Sequence, residues 1–333
     1  MTKHARFFPF LYKLSLSIGL AIGTFFMSMM LGAADTSFKE VWLSVASDVT
    51  TDTITMLREI RLPRVTAAVF VGAALGVSGA VMQGLTRNPL ADPGLLGLTA
   101  GANAALALTL ALIPSANYVA LMIACFLGAA IGALLVIGIG MMKKNGFSPL
   151  RLVLAGAAVS AFLYAVSEGI ALRYKISKEA SMWTAGGLIG TTWSQLQPIV
   201  PLIILSICIA FLLSRQLTLL SLNEELAIGL GQKITQIKFA LIIVIILLAG
   251  ASVALVGNLA FVGLMIPHIA RVFVGTDYRY ILPMSAVLGA TFLLAADTLG
   301  RTLNAPFETP VAAIVSVLGL PFFLFIVRKG GKA

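Results

Sequence analysis

Long apolar runs, each closed by a short polar connection, recur along the whole of this chain. A run of about 20 residues crosses the hydrocarbon of a bilayer as a helix, and the pattern predicts ten such spans. They cover approximately residues 11–33, 64–85, 93–112, 118–142, 150–171, 197–216, 236–256, 261–275, 280–299 and 309–327, the third and eighth being interrupted or short. Residues 61–91, RLPRVTAAVFVGAALGVSGAVMQGLTRNPLA, form the most informative stretch. A charged, proline-broken entry leads into a run studded with Gly, Ala and Ser, and the polar turn Thr86-Arg87-Asn88-Pro89 ends it. Small residues at that density mark a membrane helix that its neighbours approach closely.

Composition agrees with the pattern. The 333 residues are 59% hydrophobic and 11% charged, against about 25% charge in soluble domains, and the mean hydropathy is +1.01. The expected fold class is all-α: a polytopic membrane protein in which residues 1–333 form one transmembrane domain. With both termini inside, 15 of the 23 Lys and Arg fall in inner segments and 9 of the 13 acids in outer ones, making the inner side +11 and the outer side −1. The net charge of +10 is therefore a topology signal under the positive-inside rule. It is not a nucleic-acid footprint, since no basic stripe lies on a soluble domain.

Trp42, Trp183 and Trp193 fall in outer connections, at the depth indoles favour. Lys3, Arg6 and Lys13 precede the first run as in a secretory signal, but the run exceeds a signal core of about 7–15 residues and is expected to be retained. Cys125 and Cys208 both lie in predicted spans and read as buried packing residues. A shift of 178 residues brings Gly72-Ala73 onto Gly250-Ala251, Gly79 onto Gly257 and Pro89 onto Pro267. These matches sit five helices apart, in the second and seventh spans. They read either as an inverted repeat of spans 2–5 and 7–10 or as a chance match of small residues.

Transport needs an energy source. The chain has no GxxxxGK[ST] phosphate loop, so ATP hydrolysis is not expected of it. Ion-driven carriers place acids or His within the membrane, but Glu168 and Asp297 are expected near outer helix ends and no acid at mid-depth. The inner stretch NEELAIGLG (223–231) interleaves Leu226, Ile228 and Leu230 with polar and small residues. A short helix ending in Gly can dock by such an apolar face on a cytosolic partner, although the spacing also fits an ordinary surface helix joining two spans.

Five blocks carry a resemblance to a known family: RLPR (61–64), GAALGVSGAVMQGLTRNPLADPGLLG (72–97), NEELAIGLG (223–231), FVGLMIPHIAR (261–271) and ADTLGRTLNAPFETPVAAIVSVLGLPFFLFIVRK (296–329). In this order they resemble the FecCD-type permeases of ATP-binding-cassette importers for iron–siderophore, haem and cobalamin. The resemblance implies ten spans per subunit and a second permease subunit, identical or paralogous, around a central pathway in the bacterial cytoplasmic membrane. It also implies ATPase subunits docked inside, an external substrate-binding protein, and no cofactor or metal.

Residue by residue, the resemblance assigns binding-protein docking to Arg61, Arg64 and Arg301. Guanidinium–carboxylate pairs across an interface give orientation and encounter rate. Without the family, arginines at helix ends read as headgroup anchors, and Asp297 stands at i, i+4 to Arg301. Coupling to the ATPase is assigned to Glu224, Ala227, Gly229, Leu230 and Gly231. The inner gate is assigned to Ser148, Pro149 and Leu150, where Pro149 departs from the small hydroxyl residues often found in the family.

Asn88-Pro89 and Pro267-His268 are expected structural turns, His268 lacking the second ligand that a metal site needs. Ser78, Gln83, Asn103, Ser160 and Ser167 are candidates to line the pathway. Ferric siderophore, the commonest family substrate, is the expected cargo, with haem or cobalamin as alternatives. An ion-coupled secondary transporter and a non-transporting membrane scaffold are the alternatives of other classes.

Overall fold

The computed structural model describes residues 3–32, 36–141, 149–305 and 307–330, and every regular element among them is helical. Helix α1 (Lys3–Met30) is followed by α2 (Phe38–Ala46) and α3 (Asp52–Met56), which continues through a π turn (Leu57–Arg61) into α4 (Leu62–Thr86). A 3₁₀ turn (Pro93–Leu96) opens α5 (Leu98–Leu112), followed by α6 (Tyr118–Met141), α7 (Pro149–Tyr174) and the short α8 (Ser177–Thr184). The remainder comprises α9 (Trp193–Leu212), α10 (Ser214–Leu222), α11 (Glu224–Gly229), α12 (Ile234–Val256), α13 (Val262–Val274), α14 (Tyr278–Thr302) and α15 (Val311–Gly330).

Among the described residues, eight helical stretches are long and apolar enough to cross a membrane, and α5 and α13 are shorter apolar helices. Together they occupy the places of the ten expected spans, the short pair being the third and eighth. The third is cut short because Asp92-Pro93-Gly94 makes a 3₁₀ turn and Gly97 adopts a left-handed φ of 73° before α5 begins.

Two boundaries differ from expectation. The entry at 61–64 is not broken: one helix runs from Asp52 to Thr86. Pro63 has no N–H, and its ring would strike the carbonyl four residues back in a regular helix. The π turn just before it opens the ladder at that point. The sixth span begins at Trp193, because Thr192 and Gln195 form a reciprocal cap that starts the helix ahead of Pro198 and Pro201.

Helices α4 and α12 form the axis of the bundle. Of their apolar windows, 83% and 78% are buried, against 6% for α1 and 22% for α7 and α15. Burial of that order requires close backbone approach, which glycine permits. A Cβ on Gly72 would overlap the Gly289 carbonyl of α14, and one on Gly79 would overlap the Gly263 carbonyl of α13. Cys125 is buried as expected, whereas Cys208 is exposed on the outward face of α9.

The contacts have the symmetry of the inverted repeat: α4 packs on α13 and α14, and α12 packs on α5 and α6. Exchanging spans 2–5 with 7–10 maps each set onto the other. The residue register of the 178-residue shift does not hold, since Gly79 lies within α4 while Gly257 caps α12.

Gly79→Val forces branched carbons into the α13 backbone and is expected to destabilise by about 3 kcal/mol or more. Gly19→Ala, where a Cβ meets nothing, should leave stability within about 0.5 kcal/mol. Thermal unfolding of the two detergent-solubilised variants checks the contrast.

Candidate functional site

At one end of the bundle the π turn, α4 and α14 bring three arginines to the end of α1, two of them on one carboxylate. Asp297, on α14, is fully buried. Arg64 donates to it through Nε (3.0 and 3.1 Å) and Nη2 (2.8 Å), and Arg301 pairs with it at 3.1 Å across one helical turn. The remaining edge of Arg64 turns to Glu308, in the connection to α15, and Nη1 donates to both of its carboxylate oxygens at 2.9 Å. Arg301 also donates to the Ser28 carbonyl and hydroxyl (2.9 and 2.7 Å) and to the Leu31 carbonyl. Arg61 donates to the carbonyls of Met29 (2.7 Å) and Met30 and to the Thr36 hydroxyl. The orphan carbonyls that end α1 are therefore capped by guanidinium cations, which also suit the negative end of its dipole.

The three expected docking arginines thus converge, each 7% exposed or less, and point into the protein. The i, i+4 pairing of Asp297 with Arg301 read from spacing is present. The Arg64–Asp297 and Arg64–Glu308 pairs join positions 233 and 244 residues apart, and no local pattern signals such contacts.

At the opposite end lies the expected coupling stretch. Asn223 caps α11 by accepting from the Glu225 N–H (2.7 Å), and Gly231 takes a left-handed φ of 79° beyond its end. Leu226, Ile228 and Leu230 are each more than 60% exposed, and Ala227 is buried. Gly229 and Gly231 have open space above them. Glu224 is engaged within the chain, with Lys238 of α12 at 2.7 Å and Arg87 beyond α4 at 3.7 Å. It therefore ties α11 to both axial helices, while Leu226, Ile228 and Leu230 form the outward surface.

Of the expected gate, Ser148 lies outside the described residues, Pro149 opens α7, and Leu150 is exposed. Asn88-Pro89 forms a turn as expected, whereas Pro267-His268 lies within helix α13 rather than in a turn, and His268 Nε2 sits 2.8 Å from the Pro89 carbonyl. No group of three or more metal-ligating side chains occurs among the described residues.

Two of the expected pathway residues are packing residues. Ser78 donates to the Leu75 carbonyl (3.1 Å), and buried Gln83 bridges the Leu264 carbonyl (3.1 Å) and Arg271 (2.6 Å). The other three, Asn103, Ser160 and Ser167, line two adjoining cavities of about 240 and 540 Å³ that share Tyr164 and Asn258. Glu168 lines the larger cavity and Asp92 the smaller, where Leu75 and Gly263 also lie.

Asp92 departs from the expectation that no acid lies at depth. Leu75 stands eleven residues before the end of α4, or about 16 Å along its axis. The chain after Arg87 therefore folds back into the bundle. Asp92 accepts from the Gly94 N–H at 2.8 Å, capping the 3₁₀ turn.

Truncating Asp297 to Ala leaves two buried guanidinium groups short of counter-charge, and a loss of about 3–5 kcal/mol is expected. Glu308→Ala, which removes a partly exposed partner, should cost under about 1 kcal/mol. Thermal melts of both variants in one lipid environment read the difference.

Comparison with known proteins covers nearly the whole chain. Residues 20–329 match the FecCD transport family. The iron(3+)-hydroxamate import system permease protein FhuB of Bacillus subtilis (strain 168) is 44% identical over 93% of this chain and 81% of its own length. The hemin transport system permease protein HmuU of Yersinia pestis is 40% identical over 96% of this chain and 94% of its own. Among solved structures, a metal-chelate type ABC transporter in an inward-facing conformation superposes with a TM-score of 0.83 and 28% identity, covering 96% of this chain and 98% of that one. With helical architecture, motif order and near full-length similarity in agreement, the chain belongs to the FecCD transport family.

Proposed function

We propose that this chain is the permease subunit of an ATP-driven importer that moves a ferric siderophore across the bacterial cytoplasmic membrane. The observation that carries the reading is the family match over residues 20–329, joined by a relative named for iron(3+)-hydroxamate import at 44% identity. Haem is the second reading, favoured by the hemin relative from Yersinia pestis.

The Glu224 end is the cytoplasmic one in this proposal. Lys13 donates to the Phe273 carbonyl there, and Arg87 and Lys238 meet Glu224, as the positive-inside rule requires. Both termini are then cytoplasmic, and the arginine cluster lies at the outer end of the bundle, on the side of a substrate-binding protein. The exposed Leu226, Ile228 and Leu230 offer an ATPase subunit an apolar contact of the helix-in-groove kind. A second permease subunit, identical or paralogous, would close the pathway along the sparsely covered α7, beside the cavity lined by Ser167 and Glu168.

The chain's role is then conduction, with ATP hydrolysis supplied by its partners. Serine, asparagine and tyrosine in the cavity can exchange hydrogen bonds with a passing chelate without holding it tightly.

Reconstitution with ATPase and binding-protein partners tests the reading. Ferric trihydroxamate is expected to stimulate both ATP hydrolysis and uptake, with haem and cobalamin having no comparable effect. Stimulation by haem alone would transfer the assignment to the second reading. Concentrative flux by the chain alone under a proton or sodium gradient would overturn the importer reading and point to Asp92 as an ion-coupling carboxylate.

Gly229→Asp with Leu230→Asp places carboxylates on the apolar ATPase contact. Co-purification of the ATPase should fall at least tenfold while the external binding protein stays bound. A full complement of ATPase on that variant would refute the coupling surface.

A further inference from the structure

We infer that Glu308 is an internal stand-in for an acidic side chain of the external binding protein, covering the docking edge of Arg64 until the partner displaces it. This inference rests on the docking reading of Arg64.

The geometry separates the two carboxylates of the cluster. Asp297 is fully buried and holds the Nε and Nη2 edge of Arg64 and the guanidinium of Arg301. It is a fixture of the helix packing and cannot leave without stranding two buried cations. Glu308 has a side chain 34% exposed and holds only the outer edge of Arg64, through Nη1. Its own connection is thinly covered: Leu303 and Phe307 are 67% and 72% exposed, and Leu299 on the adjoining turn of α14 is 43% exposed.

Both Glu308 oxygens accept from one guanidinium nitrogen at 2.9 Å, an arrangement that a carboxylate from another protein can reproduce. Exchanging one carboxylate for another keeps the charge on Arg64 satisfied throughout, so the site passes from closed to docked without exposing a bare buried cation. While Glu308 is in place, three arginines face two acids. Once it swings away, the cluster presents one more unit of positive charge to an incoming acidic face. The exposed Leu303 and Phe307 beside it provide apolar contact for the core of the same interface.

The test uses the complete permease–ATPase complex in lipid nanodiscs and its separately purified binding protein, and measures association and dissociation rates. Glu308→Gln removes the competing charge with little change of shape. It is expected to tighten binding by roughly three- to tenfold, mostly through a faster association rate that falls with added salt. Glu308→Asp retains the charge on a shorter arm and should tighten binding less than Gln does, with a thermal melt confirming that each variant is folded.

Unchanged or weaker binding in both folded variants would overturn the inference. A separate arm leaves the permease intact and converts the acidic residues on the binding protein's docking lobes to Gln. Affinity unaffected by that change would bring down the docking reading itself. Affinity lost there but not raised by Glu308→Gln would bring down only the role given to Glu308.

Discussion

Backbone contact between α4 and its two neighbours is the constraint from which the rest of the structure follows. In lipid, no difference in apolarity draws helices together, so they are held by dispersion and by how closely their surfaces can meet. Gly72 against Gly289 and Gly79 against Gly263 let α4 lie directly on α14 and α13. That approach sets the relative height of α4 and α14, which in turn puts the guanidinium of Arg64 beside the carboxylate of Asp297. A wider crossing would part Arg64 from Asp297, leaving the acid with only Arg301 of its own helix to balance it.

The two ends of the bundle handle charge differently. At the Arg64 end the ions are sequestered: cations close the carbonyl end of α1 and share a carboxylate with no exposure. At the Glu224 end they are partly exposed and join a six-residue helix to the two axial helices. In the proposed transporter, a rigid receiving face and a jointed driving face suit a pathway that opens alternately to the two sides. Glu224 is engaged within the chain, so residues 223–231 divide into an outward apolar part and an inward charged part.

Depth is the property that sequence reading handled least well. Asp92 follows Arg87 by only five residues, and its neighbours in sequence read as an ordinary inner connection. The Asp-Pro-Gly turn sends the chain back between α4 and α13, so a carboxyl reaches the level of Leu75 beside the cavity. Ser78 and Gln83 show the opposite error. Their polarity suggested a pathway lining, yet both are consumed by hydrogen bonds inside the packed core.

What the sequence determined by itself was set by local periodicity and composition: helical class, ten apolar segments, the two that fall short, and the motifs that carry the family resemblance. It could do so because a span must satisfy its backbone internally, leaving each segment's character legible in its own residues. Which face of each helix turned inward was decided only by tertiary structure. So were the pairing of Arg64 with Asp297 and Glu308, the capture of Glu224 by Lys238 and Arg87, and the depth of Asp92. Those depend on contacts between residues far apart in the chain, where small residues allow helices to close, and no single segment encodes its partner.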